Sequence, residues 1–181
     1  MLNLSNNYFE LFGLPGQFHI DLSELSERYR DLQKVVHPDR YASASDQEKR
    51  MAMQGATLVN EAYQSLKDPL KRAQYMLQIR GVNADGENLT TSDTVFLMQQ
   101  LELREALAEI REQDDPLEAV GELLTDITRA INSQIARLAV LLESDAQSDV
   151  DQALECIYKM QFLNKLHAEA ESVEADLEDM L

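Results

Sequence analysis

Tryptophan is absent from this 181-residue chain, and cysteine, proline and glycine are scarce, at one, four and six residues. The lone Cys156 excludes an internal disulfide and a multi-cysteine metal site. So few helix breakers suit a helical protein. No apolar run approaches the ~18 residues of a membrane span. Met1 to Asn7 shows no positive charge followed by an apolar stretch, and no Arg-rich amphipathic leader, so neither a secretory nor a transit signal is expected and the expected compartment is the cytoplasm. A glycine-rich phosphate loop is missing. The three histidines, His19, His37 and His167, are scattered, with no pair at helical metal spacing. No catalytic residue, metal ligand or cofactor site is therefore expected, although His37 taken alone could serve as a base. A surplus of positive charge is lacking too. Residues 1–80 carry ten Lys/Arg and ten Asp/Glu, whereas residues 81–181 carry six and twenty-three, which accounts for the whole net charge of −17. Nucleic acid demands basic contacts and is excluded as a partner. A basic protein partner is compatible, and so is a plain role in solubility.

What is present is helical periodicity. Leu22, Leu25, Tyr29, Leu32 and Val36 recur at steps of three and four, as do Ala52, Ala56, Val59, Tyr63 and Leu66, so each set marks one buried helix face. Between them stands His37-Pro38-Asp39. Pro38 lacks a backbone N–H and disfavours helical geometry at His37, which ends the first of these helices near Val36. The prediction is an antiparallel hairpin with His-Pro-Asp at its exposed tip, a place from which side chains can be presented to a partner. Short flanking helices complete this half: residues 8–12, closed by Gly13, Pro15 and Gly16, and a segment from Asp68-Pro69 to near Gly81. Asp21 or Ser23 can cap the second helix, and Ser45 with Glu48 reads as a capping box opening the third after a small loop at 41–45.

These segments resemble the J-domain of DnaJ-type co-chaperones. The match rests on Tyr8-Phe9-Glu10-Leu11-Phe12-Gly13-Leu14, Tyr29-Arg30, His37-Pro38-Asp39 and Asp68-Pro69-Leu70-Lys71-Arg72-Ala73-Gln74-Tyr75, four segments in order. The resemblance implies docking on a DnaK-class chaperone ATPase through His37, Pro38 and Asp39 and the basic residues Arg28, Arg30, Lys34 and Arg40. The mixed charge of that helix, with Glu24, Glu27 and Asp31 interleaved, is also what a solvated face carries.

Residues 81–92 are turn-rich and read as a linker between a domain at 1–80 and a second at 93–181. Three helices are predicted there, at about 93–112, 117–143 and 148–179, with short connections that make sequential neighbours antiparallel. Their stripes are Leu103/Leu107/Ile110, Val120/Leu124/Ile127/Ile131/Leu138 and Ile157/Met160/Ala170/Val173/Leu177. The expected fold is all-α: a helical hairpin domain followed by an acidic three-helix bundle. The helix at 93–112 has too many apolar residues for one face. Phe96, Leu103, Leu107 and Ile110 share a sector of ~60°, while Met98, Glu102, Glu105 and Glu109 form a roughly opposite row flanked by Leu97 and Leu101. Either this second set meets a partner or it packs inside the molecule.

The stretch Thr94-Val95-Phe96-Leu97-Met98-Gln99-Gln100-Leu101-Glu102-Leu103-Arg104-Glu105 resembles the HscB family of iron–sulfur J-proteins, as does Lys159-Met160-Gln161-Phe162-Leu163-Asn164-Lys165-Leu166. That resemblance spans nearly the whole chain. It implies that the bundle binds the cluster scaffold IscU through Leu97, Met98, Leu101, Glu102, Glu105, Glu109 and Phe162, and that the hairpin domain delivers the scaffold to the DnaK-class chaperone HscA and stimulates its ATPase. Two alternatives remain in view: a J-protein with an unrelated client, and a helical self-association module whose apolar ridge is a dimer seam.

Overall fold

Among the described residues there are seven α-helices: α1 (Tyr8–Phe12), α2 (Leu22–Val36), α3 (Asp46–Lys67), α4 (Pro69–Ile79), α5 (Thr94–Glu109), α6 (Pro116–Leu141) and α7 (Gln147–Glu178). This computed structural model describes residues 6–41, 43–84 and 93–180, and among them there is no strand. Most of the expected connector, residues 85–92, therefore lies outside the described residues, as does Ala42 in the loop expected at 41–45. The chain divides into two units, Met1–Asn83 and Ala84–Leu181.

In the first unit local polar chemistry sets the helix ends. Asn7 and Glu10 form a reciprocal capping box on α1, Asp21 accepts from the amides of Ser23 and Glu24 at the start of α2, and Ser45 with Glu48 boxes α3. Asp68 caps α4 ahead of Pro69, whose missing N–H costs nothing at a first helical position. Two helices end in Schellman motifs that need a left-handed residue, Gly13 after α1 (φ 62°) and Gly81 after α4 (φ 80°). There the amides of Leu14 and Val82 reach back to Phe9 and Leu77.

α2 and α3 pack as the expected antiparallel hairpin. Leu25, Val59, Ala62 and Leu66 are fully buried between the helices, and each buried leucine stabilises by about 2 kcal/mol. The hairpin is also stapled by stacked Tyr29 and Tyr63 rings, 4.0 Å apart, and by the Tyr29 hydroxyl donating to Asn60 Oδ1. Gly55 lets α3 approach Val36, for an added Cβ would lie 3.3 Å from Val36 Cγ1. One expectation fails: Leu22, assigned to the buried stripe, is 48% exposed. It sits in the first turn of α2, beyond the reach of α3, so the periodicity outruns the packing. α4 lies across the base, where buried Arg72 donates to the Leu66 carbonyl and stacks over Phe18.

In the second unit α6 and α7 form a long antiparallel pair and α5 lies against both. The core joins Val120, Leu123 and Ile127 of α6 to Leu163, Leu166 and Ala170 of α7, with Ile110 from the 3-10 turn that ends α5. Leu103 and Leu107 pack on it half-buried. His167 is half-buried on this pair, its Nε2 3.3 Å from Thr128 Oγ1.

Candidate functional site

Two surfaces carry the residues singled out by sequence, one on each unit. The first is the hairpin tip. His37 leaves α2 with extended geometry (φ −59°, ψ 126°), and Pro38–Tyr41 turn in a 3-10 helix. The amide of Asp39 donates to His37 Nδ1 at 3.3 Å, and the Asp39 carboxylate lies 3.6 Å from the same nitrogen. Both side chains face solvent, His37 at 52% exposure and Asp39 at 90%. Nothing here resembles a catalytic base poised on a nucleophile. The geometry presents an imidazole and a carboxylate to solvent.

The residues just after the motif fold back onto the end of α2. A helix leaves its last carbonyls without partners. At the end of α2 these are taken up by the Arg40 guanidinium, which donates to Lys34 O at 3.0 Å, and by the Tyr41 hydroxyl, which donates to Val35 O at 3.2 Å. The sequence placed Arg40 among the docking residues; the structure shows it turned back onto α2, and Tyr41 had no assigned role. The other basic residues are exposed but engaged locally. Lys34 pairs with Asp31, whose carboxyl is held below the usual range mainly by the hydrogen bond from Lys34, and Arg30 Nε bonds the Ser26 carbonyl. Arg30 and Lys34 share a helix face. Arg28 pairs with Glu24 and leans towards α1, beside Gly13, so it stands apart from that face.

The second surface is the outward side of α5. Phe96 and Ile110 are buried, Leu103 and Leu107 half-buried, and the opposite set faces solvent: Leu97 at 43%, Met98 at 61% and Leu101 at 59% exposure. Glu102, Glu105 and Glu109 are exposed alongside them. The sequence missed Val95, which at 78% exposure continues this ridge past Met98. Phe162 differs from the rest of the set. It is half-buried on the core, edge-on to Phe96 at 5.9 Å, with the Arg104 guanidinium 5.4 Å over its ring.

Also missed was the fastening of α5. Asp93 caps α5 through Oδ1 to the Phe96 amide, while its Oδ2 receives Lys159 Nζ of α7 at 2.5 Å. Hydrogen bonds from Lys159 and from the Phe96 amide lower the Asp93 pKa, with desolvation opposing them. Lys159 is buried. The signal was legible in part, as a lysine among the buried run Cys156, Ile157, Met160 and Leu163, but no spacing reveals its partner 66 residues away. Cys156 is fully buried and burial pushes its thiol pKa up, so it lacks thiolate character. Among the described residues no His/Cys/Asp/Glu group is arranged to hold a metal ion, and no helix is long and apolar enough to cross a membrane.

Known proteins share this arrangement. The family model of the HSCB C-terminal oligomerisation domain matches residues 92–171 and that of the DnaJ domain residues 7–75. The co-chaperone protein HscB homolog of Shewanella loihica is 46% identical over 168 residues, covering 93% of this chain and 97% of that one. Among solved structures, chaperone HscB from Vibrio cholerae superposes with a TM-score of 0.81 at 44% identity, covering 95% of this chain and 99% of that one. The human co-chaperone protein HscB does so with a TM-score of 0.82 at 27% identity, covering 95% and 84%.

Proposed function

Because the chain belongs to the HscB family of J-domain co-chaperones, we propose that it delivers an IscU-type iron–sulfur scaffold to the DnaK-class chaperone HscA in the cytoplasm and stimulates that partner's ATP hydrolysis. The observation that carries this reading is the outward face of α5, where three large apolar side chains stand in solvent beside three carboxylates while a second apolar set of the same helix is spent on the core. Exposed apolar area of this kind beside a charged row fits a partner's groove. Leu97, Met98 and Leu101 are its anchors; Glu102, Glu105 and Glu109 steer a basic counterpart. Phe162 supports the face from beneath, through Phe96 and Arg104.

On the first unit, His37, Pro38 and Asp39 form the contact with the ATPase, with Arg30 and Lys34 as the basic face beside them. The protein makes and breaks no bond itself. It binds one conformation of the chaperone better than another, and so shifts the population towards the state that hydrolyses ATP and holds the client tightly.

Steady-state ATP hydrolysis by HscA, with this protein and with or without IscU, tests both halves. The expected result is stimulation that the scaffold enhances, with the enhancement lost in Leu97/Met98/Leu101→Ala. Stimulation without enhancement keeps the J-protein and discards this client; no stimulation discards the reading. A second reading draws on the oligomerisation description of the matching C-terminal family, with the same ridge as a dimer seam. A single mass across concentrations in sedimentation removes it.

A further inference from the structure

α5 poses a problem of rotation. Apolar side chains surround it: Phe96, Leu103 and Leu107 turn inward, and Leu97, Met98 and Leu101 turn outward. A helix rotated by about half a turn would exchange most of these apolar side chains, so apolar area opposes the rotation only weakly, whereas the exposed row Glu102, Glu105 and Glu109 would be carried inward and opposes it through the cost of burying charge. Hydrophobic burial alone therefore defines this rotation weakly. The part-buried ion pair at its N-terminus fixes it at the first turn. Lys159 of α7 is only 8% exposed; its Nζ meets Asp93 Oδ2 at 2.5 Å and lies 5.2 Å over the Phe96 ring. The other oxygen of that carboxylate holds the Phe96 amide. One carboxylate thus ties the first turn of α5 to a buried cation, and that turn contains Leu97. Removing one partner of such a pair strands an uncompensated charge, whereas replacing the pair by apolar groups is often neutral. The pair is therefore a device of orientation more than of stability. At the opposite end Arg111 and Asp176 pair at 2.8 Å but are both exposed, and exposed pairs fix little.

We propose that Asp93 and Lys159 are positioning residues that set the rotation of α5 and thereby hold Leu97, Met98 and Leu101 outward for the scaffold partner. This rests on the reading of α5 as the docking face. Lys159 acts from within the bundle and touches no partner.

The test separates orientation from stability in the full chain. Cys156 is buried, so an introduced cysteine is the reactive one. In the native background Met98→Cys should react with a maleimide far faster than Leu103→Cys. In the Asp93→Asn/Lys159→Met background, which keeps a capping side chain and leaves no lone charge, the rate ratio should fall by about tenfold while the melting temperature stays within a few degrees. An unchanged ratio overturns the proposal. So does a ratio that follows the melting temperature through Asp93→Asn alone and returns to the native value in the double variant, because that is the behaviour of a merely structural pair. Scaffold affinity, measured by calorimetry, should fall about tenfold in the double variant. A collapsed ratio with native affinity supports the positioning role and overturns the docking reading, and native affinity in Leu97/Met98/Leu101→Ala identifies that second failure independently.

Discussion

The exposed His37 side chain accepts from the amide of Asp39 two positions on and lies 3.6 Å from that residue's carboxylate. A substitution there should leave the fold intact. His37→Gln is expected to abolish ATPase stimulation with the unfolding free energy unchanged within about 0.5 kcal/mol and scaffold binding retained; loss of all three would make the residue structural. Arg72 is the opposite case. It is 6% exposed, donates to Leu66 O at 2.7 Å, and packs over Phe18. Burial lowers its guanidinium pKa, with Asp68 pulling the other way. Arg72→Ala strips both the donor and the aliphatic stem and should destabilise the N-terminal unit by about 3 kcal/mol in chemical denaturation, with Arg72→Met losing less because the packing survives. At this scale the sequence is legible where chemistry is local. The end of α2 can be read from Pro38 alone, whereas the exposure of Leu97, Met98 and Leu101 could not be, because apolar residues surround their helix. The bond of Arg40 to α2 and the roles of Tyr41 and Lys159 were missed because they depend on what lies opposite. A guanidinium that docks on a partner and one that bonds a carbonyl six residues back are the same letter.

Elements follow the same division. Ser45 and Asp68 announced the starts of α3 and α4, and Asp21 or Ser23 that of α2, where the structure shows Asp21, because a cap bonds amides two or three residues away. The rotation of α5 was not announced, since apolar residues surround that helix, and Leu22 was misassigned because periodicity does not say where the neighbouring helix ends. The capping box on α3 carries a pH dependence of known sign. Ser45 Oγ and Ser45 N both donate to Glu48 Oε2, at 2.7 and 2.9 Å, and these bonds hold the Glu48 carboxyl below its ordinary value. A carboxyl depressed in the folded state binds its proton more readily in the unfolded state, so its contribution is complete at neutral pH and is lost as pH falls from about 4.3 through the depressed value. Thermal melts of wild type and Glu48→Gln should therefore differ at pH 7 and converge towards pH 3; a constant gap would mean that the carboxylate is not the group responsible.

For the whole molecule the governing fact is the division of charge. The unit Met1–Asn83 is balanced, and the entire −17 belongs to Ala84–Leu181. A surface of one sign raises encounter rates with an opposite partner over a Debye length of about 8 Å at physiological salt, but adds less to affinity once the complex has formed. Apolar anchors behave conversely, because most of their effect lies in dissociation. The α5 face holds both kinds of group side by side, so the two contributions can be separated on one helix. Glu102/Glu105/Glu109→Gln should slow association with the scaffold and flatten its dependence on salt, with dissociation little changed. Leu97/Met98/Leu101→Ala should speed dissociation and leave the salt slope of association as in wild type. Stopped-flow rates between about 0.05 and 0.5 M salt distinguish these patterns. Association indifferent to salt in wild type would remove steering from the account, and the excess of acid on this unit would then be a matter of solubility.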